Sequence, residues 1–427
     1  MATILKGAPV VVAMNEANAA RCAALAAKGI TPTLAVVRVG EREDDLSYER
    51  GVLARCAKVG VAVKQFLLPA DAPQQALLDV LAQVNADPAI HGCLLFRPLP
   101  SQFDDRTIRA ALAPEKDIDG ITDGSLAGVF TGTPVGYPPC TAQACLEILK
   151  HYSIPLSGRR AVVVGRSLVV GKPAAMMLDK ENATVTLCNS RTQNLPALCR
   201  EADIVVVAMG KRGFIGADCQ REGQVVVDVG IHVGDDGKLC GDVRFAEAEP
   251  VVEAITPVPG GVGTVTTSVL VGHVGDAAEK AALALVLFNS SVIAEIVRGG
   301  LNGVAKGQFE AGYAQGFNTA EVLLYIVLPQ AYRNIVPTLL SQVITTIKDS
   351  SYLANVATIE LMARIRQLLS AAGTYNGLGT VNVSDVMVLF GAACVIYFVI
   401  NFTLSCIVRS MQNKRKKAIV FAPAKAA

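Results

Sequence analysis

Charge of either sign is scarce in this sequence and nearly balanced, with 39 Lys and Arg against 37 Asp and Glu in 427 residues. A net charge of +2 offers no electrostatic argument for a nucleic-acid partner. Histidine is limited to His91, His151, His232 and His273, with none beyond residue 273. The 11 cysteines include no CxxC pair, which excludes a zinc ribbon or thioredoxin-like centre, and no metal site is expected. Spread singly through apolar stretches, they read as reduced, buried small hydrophobes of a cytosolic protein. Residues 1–30 lack the layout of a secretion signal. Charged residues make up only 18% against 52% hydrophobic, and mean hydropathy is +0.41. Those values are high for a wholly soluble enzyme and point to a membrane part.

The composition changes near residue 281. Before it, short apolar runs alternate with helical patterns: Thr33–Val39, Gly92–Phe96, Ala161–Val164, Thr184–Leu187, Ile204–Ala208 and Val225–Val229. Continuous apolar runs bounded by Gly, Asp or Pro predict buried parallel strands with crossover helices. The series restarts after Leu156–Gly158, so the expected class is α/β with two lobes. After it, Val386–Val408 is a 23-residue stretch without a charged side chain, long enough to span a bilayer. Arg409, Lys414, Arg415, Lys416 and Lys417 follow and assign that end to the cytoplasmic side. Ile335–Ile347 is a weaker apolar stretch. Ala281–Phe288 opens another, which Asn289, Ser290 and Ser291 are expected to cut short.

Ala161–Val164 runs into Gly165-Arg166-Ser167, then Val170-Gly171-Lys172-Pro173 and a helical pattern from Ala174. A strand, a tight glycine turn and a helix N-terminus let backbone N–H groups approach a pyrophosphate. By itself this pattern equally fits an ordinary strand-to-helix turn. The next strand ends in Cys188-Asn189-Ser190-Arg191, without the acidic residue that an NAD site places there for the ribose. Arg166, Ser190 and Arg191 instead suit a 2′-phosphate, and therefore NADP.

Positions 1 to about 280 resemble the bifunctional methylenetetrahydrofolate dehydrogenase/methenyltetrahydrofolate cyclohydrolases. The resemblance runs through Val39-Gly40 with Ser47-Tyr48, Pro114 to Gly120, Pro139-Cys140-Thr141, Gly165-Arg166-Ser167, Asp228 to Ile231, Gly241-Asp242-Val243 and Thr256 to Gly263. It implies a folate-binding catalytic lobe over 1–140 and a Rossmann-type NADP-binding lobe over 141–280, facing across a cleft, in a homodimer. It implies that Tyr48 orients the pterin-aminobenzoate system and that Asp119, an ionised acceptor, holds the pterin amino and ring N–H groups. The loop carrying Pro257, Gly260 and Gly261 would line the folate side. Gly165, Arg166, Ser167, Ser190 and Ile231 would contact NADP. The reaction implied is NADP-dependent oxidation of 5,10-methylenetetrahydrofolate in one-carbon metabolism.

The family's hydrolytic step uses a Lys four residues after the active-site Tyr and a Gln from the strand before a Pro-Leu-Pro turn. Val52 and Phe96 stand at those positions here, so cyclohydrolase activity is expected to be weak or absent. Arg97, beside the Gln position, is expected to point to the opposite side of the strand.

Residues from about 283 to 417 resemble the C-terminal part of polar-amino-acid ABC transporter permeases. The motif is Glu310-Ala311-Gly312, Gly316 and Ile326-Val327-Leu328-Pro329, flanked by Ile296 to Gly300 and Ile347 to Ser351. It implies a partial permease-like helical membrane region over 281–427, attached to the bacterial inner membrane with the enzyme half in the cytoplasm. It also implies that Glu310–Pro329 docks an ABC ATPase. Without the family, the same stretch is an amphipathic helix ending at Pro329. Competing readings are a transporter subunit carrying the enzyme as passenger, and a join of two neighbouring genes.

Overall fold

The computed structural model describes residues 2–234 and 237–353 and positions 391, 395, 398, 399, 402, 403 and 406. Apart from those positions, the expected span at 386–408 and the basic cluster after it lie outside the described residues. The chain divides into two compact units, Met1–Glu279 and Lys280–Ala427.

In chain order the first unit opens with β1 (Thr3–Ile4), α1 (Gly7–Ala27), β2 (Thr33–Val39), α2 (Glu43–Val59), β3 (Ala62–Leu68), α3 (Gln74–Ala86) and β4 (Gly92–Leu95). Then come α4 (Asp105–Ala111), α5 (Asp123–Thr131), α6 (Cys140–His151), β5 (Arg160–Val164), α7 (Gly171–Lys180), β6 (Thr184–Cys188), α8 (Leu195–Glu201), β7 (Ile204–Val207) and β8 (Val225–Asp228). It ends with β9 (His232–Val233), β10 (Leu239–Cys240), α9 (Phe245–Ala248), β11 (Ala254–Ile255) and α10 (Val262–Asn302), within which the boundary between the units falls.

Two parallel sheets result, with strand orders β3-β2-β4 and β1-β11-β8-β7-β5-β6. Every residue of β2, β7 and β8 is buried, as strands covered on both faces by helices must be. That burial is why the apolar runs located these strands within a residue or so of their ends. Strand β3 is different. It is an edge strand with no fully buried residue, and it carries the exposed Lys64 and Gln65, so no continuous apolar run marks it. In the larger sheet β6 and β7 flank β5 on opposite sides. The order therefore reverses beside the carboxyl end of β5, where α/β sheets hold their ligands.

The lobes are not consecutive in the chain. Strand β1 pairs in parallel with β11 in the larger sheet. Helix α1 then packs back on the first turns of α10, where Asn18 Nδ2 donates to Ser268 O at 3.0 Å and Ser268 Oγ donates to Asn15 Oδ1 at 3.1 Å. Of the cysteines described, Cys22, Cys56, Cys93, Cys140, Cys145, Cys188, Cys199 and Cys219 are buried and free, Cys240 is half-buried and Cys406 exposed.

The second unit begins inside α10. The polar Asn289, Ser290 and Ser291 interrupt the apolar run but not the helix, which continues to Asn302, since short polar side chains inside a helix can turn outward. It is the one helix among the described residues long and apolar enough to cross a membrane. Leu283, Val286, Leu287 and Phe288 are all exposed. A turn at Gly316 joins α11 (Lys306–Ala314) to α12 (Thr319–Glu321), which opens with a reciprocal Asn318–Glu321 capping box. A π-helical segment, Val322–Val327, leads into α13 (Leu328–Leu353). Pro329 thus stands in the first turn of α13, directly after the π-helical segment, and does not end a helix. Val304, Val322, Val327, Ala331 and Ile335 form this unit's small core.

Candidate active site

A cleft of about 590 Å³ opens at the carboxyl ends of β4 and β8. Tyr48, midway along α2, reaches it with 37% of its surface exposed. Its ring meets Phe96 edge-on, with centroids 5.9 Å apart and planes at 69°. Thr266 of α10 hydrogen-bonds its hydroxyl, while burial first and the Asp119 charge second hold the phenol's pKa above its ordinary value. The phenol is therefore neutral throughout the physiological range.

Asp119 lies on the same cleft, and its neighbour Asp117 explains how. The fully buried Asp117 carboxylate accepts from Ile121 N at 3.0 Å, Thr122 N at 2.7 Å and Ser125 Oγ at 2.6 Å. Asp117 thereby pins the loop, and Asp119 is left to face the cavity. Burial raises the Asp119 pKa to about 6, helped by Asp117 and opposed by the Cys140 thiol and the Arg97 cation.

Arg97 corrects an expectation. It lines the cleft, because β4 ends at Leu95 and the strand alternation stops before it. Its guanidinium grips Asp105 bidentately, Nε to Oδ1 at 2.7 Å and Nη2 to Oδ2 at 2.8 Å. Cys140, also on the cleft wall, and Thr266 were not singled out from sequence. The Pro139-Cys140-Thr141 motif was a signal for the first. The second is marked by nothing local.

On the opposite wall Ile231 is 60% exposed and lines the same cleft. Gly165 follows β5 with φ +128°, a backbone that side chains avoid, and a Cβ there would fall on the Ala208 carbonyl. Ser167 Oγ accepts from Val170 N at 3.1 Å and Gly171 N at 3.4 Å, closing the turn into α7. Arg166 and Ser190 are exposed beyond β5 and β6, and neither hydrogen-bonds another residue among the described residues. Such a glycine cradle, a ten-residue helix starting beside it and a free cation with a hydroxyl fit a phosphorylated dinucleotide. Pro257, Gly260 and Gly261 do not reach the larger cleft. They line a second cavity of about 230 Å³, which Val229, Ile231, Val262 and Gly263 share with the first.

Asp228 and Asp242 organise this wall. The Asp242 carboxylate, fully buried, accepts from Met209 N at 2.7 Å, Gly210 N at 2.9 Å and Lys211 N at 2.8 Å, and faces His232 Nε2 at 2.7 Å. Asp228 accepts from Gly230 N, Asp242 N and Val243 N at 2.9–3.0 Å, and burial raises its pKa to about 6. A Cβ at Gly241 would land on the Asp228 carboxylate. The Asp-Val-Gly and Gly-Asp-Val motifs are therefore two halves of one scaffold that shapes the 209–211 loop beyond β7.

Comparison with known proteins agrees with this geometry. Residues 5–119 match the tetrahydrofolate dehydrogenase/cyclohydrolase catalytic domain, and residues 139–282 match the NAD(P)-binding domain of the same enzymes. The bifunctional protein FolD of Carboxydothermus hydrogenoformans is 52% identical over 281 residues, 65% of this chain and 98% of the relative. The chain belongs to the tetrahydrofolate dehydrogenase/cyclohydrolase family. Among solved members, the bifunctional enzyme of Campylobacter jejuni superposes with a TM-score of 0.64 at 34% identity, covering 66% of this chain and 99% of that one. The Trypanosoma brucei member, complexed with NADP and an inhibitor, gives 0.62 at 32% identity, covering 66% and 98%. The family accounts for the first unit. Residues 249–417 match a different model, the binding-protein-dependent transport system inner membrane component.

Proposed function

We propose that the chain oxidises 5,10-methylenetetrahydrofolate to 5,10-methenyltetrahydrofolate with NADP. One observation carries this reading: Tyr48, Asp119 and Ile231, from three distant segments, line one cleft. Tyr48 orients the pterin-aminobenzoate system and Asp119 accepts from the pterin N–H groups. Pro257, Gly260 and Gly261 shape the adjoining cavity on the substrate side. Gly165, Arg166, Ser167, Ser190 and Ile231 hold NADP, with Arg166 and Ser190 taking the 2′-phosphate. Bound NADP supplies the hydride acceptor. The substrate's methylene carbon gives up a hydride, and its two flanking nitrogens share the resulting positive charge. No side-chain base is required, so the protein supplies alignment and a dry cleft. NADP-dependent formation of methenyltetrahydrofolate by the purified full chain tests the reading. Absence of turnover with either NADP or NAD would refute it.

We further propose that hydrolysis of the methenyl product is weak or absent. Val52, one turn after Tyr48, is fully buried in the apolar core, and Phe96 offers the cleft an aromatic ring. The neighbouring arginines in the sequence, Arg50, Arg55 and Arg97, supply guanidinium donors, a poor replacement for a Lys–Gln pair in acid–base work. Missing acid–base assistance is worth about 10²–10⁴-fold. Methenyltetrahydrofolate hydrolysis should therefore run close to the spontaneous rate and rise in a Val52→Lys/Phe96→Gln variant. Brisk hydrolysis by the unaltered chain would overturn this.

The division into 1–140, 141–280 and 281–427, homodimerisation through the enzyme half and attachment to a bacterial inner membrane complete the proposal. The match at 249–417 and the apolar α10 support the membrane assignment. The α11–turn–α12 hairpin, which overlaps Glu310–Pro329, has the form of an ATPase-docking element.

A further inference from the structure

His273, on α10, is 6% exposed and both of its ring nitrogens face acceptors. Nδ1 lies 2.7 Å from the Ile118 carbonyl oxygen, and Nε2 lies 2.7 Å from Gln143 Oε1. Gln143 cannot freely present its other end, because its Nε2 donates to Glu147 Oε1 at 3.1 Å. Turning the amide over would set Gln143 Oε1 against the Glu147 carboxylate, acceptor against acceptor. A neutral imidazole has a single N–H and would leave one short contact between two lone pairs. An imidazolium satisfies both.

The surroundings are suited to a cation. Asp117 and Asp119 flank Ile118 on the cleft loop, and Glu147 stands behind Gln143 on α6. Asp276 and Glu279 lie further along α10. The Tyr137 ring lies 4.9 Å from the imidazole, tilted by 33°, and the Cys140 sulfur lies 3.8 Å from Nδ1. A cation nearby is Arg21 on α1, which donates to Gly272 O at 3.4 Å and is paired with Glu279 at 3.6 Å.

The carbonyl that His273 grips belongs to the residue before Asp119. Cys140 Sγ donates to that same carbonyl at 3.3 Å, and Asp117 holds the other side of the loop. We infer that His273 is a buried imidazolium that acts as a positioning residue, clamping the Ile118 carbonyl to Gln143 and so fixing Asp119 toward the substrate. It touches no reacting atom. The inference rests on the role proposed above for Asp119, yet the charge on His273 is measurable without turnover.

The test uses the full chain in detergent with histidine-selective ¹⁵N labelling, the His273 signal being identified by its loss in His273→Asn. His273 should remain an imidazolium at neutral pH, where His91, pulled by burial to about 4, is neutral. Gln143→Glu should move the His273 titration to higher pH. In turnover, the KM for methylenetetrahydrofolate should rise as pH passes upward through that titration. His273→Asn should raise KM roughly tenfold, the worth of one charge-assisted hydrogen bond, leave kcat nearly unchanged and abolish the alkaline rise. A neutral His273 at neutral pH overturns the inference, as does an unmoved titration in Gln143→Glu. A wild-type KM and pH profile in His273→Asn would overturn it too. If the chain has no dehydrogenase activity, the function proposed above falls, and the two labelling experiments still decide the charge on His273.

Discussion

Asp119 answers to two opposed requirements. In its proposed role as an acceptor for pterin N–H groups it must be ionised, yet burial raises its pKa to about 6. Substrate binding should therefore weaken as pH falls through about 6, seen as a drop in kcat/KM that Asp119→Asn no longer shows. Stability runs the other way. A carboxyl whose folded pKa lies above its unfolded value stabilises most below the unfolded value and loses that contribution as pH rises through the folded one. At neutral pH, Asp119→Asn should thus melt higher than the wild type, by about 1–3 kcal/mol, although it binds folate poorly. A lower melting temperature would show that the carboxylate is stabilised by more than its surroundings suggest. At the cofactor side, Arg166→Ala with Ser190→Asp removes a cation and adds a repelling carboxylate. NADP affinity should fall far more than NAD affinity, and equal losses in binding titrations would reject the 2′-phosphate assignment.

At the scale of elements, β8, the β9–β10 ribbon and the loop after β7 are coupled through two carboxylates. Asp242 alone accepts from three consecutive backbone N–H groups, which a hydrophobic replacement would leave without their protein partner. Asp242→Leu should destabilise the first unit by about 1–3 kcal/mol, read from the denaturation midpoint, with NADP affinity falling as the 209–211 loop loses its shape. Both motifs were visible in the sequence as parts of a resemblance. That they form one scaffold was not, because the side chains meet across separate strands. The same limit applied to Arg97, whose direction depended on where β4 stopped, and to β3, whose edge position removes the apolar run that betrays a buried strand.

For the whole molecule, the question is what the second unit does to the first. A chain cut near residue 281 should be soluble and retain dehydrogenase activity, while the full chain should sediment with membranes. Helix α10 motivates this, with Leu283, Val286, Leu287 and Phe288 exposed on its second half. Full-length protein in the soluble fraction without detergent would contradict it. Sequencing across the codons for residues 275–290, together with the size of the native protein, separates a true fusion from two adjoining genes.

The sequence by itself determined the α/β class, the buried parallel strands and the glycine turn after β5. These are local signals: a strand buried on both faces must be continuously apolar, and a backbone at positive φ asks for glycine. Only the tertiary structure decided the rest. It placed β1 in the second lobe's sheet, carried α10 unbroken past its polar residues and turned Arg97 into the cleft. It also brought His273 against Ile118 and Thr266 against Tyr48. Each of those depends on contacts between residues far apart in the chain, where neither spacing nor composition leaves a trace.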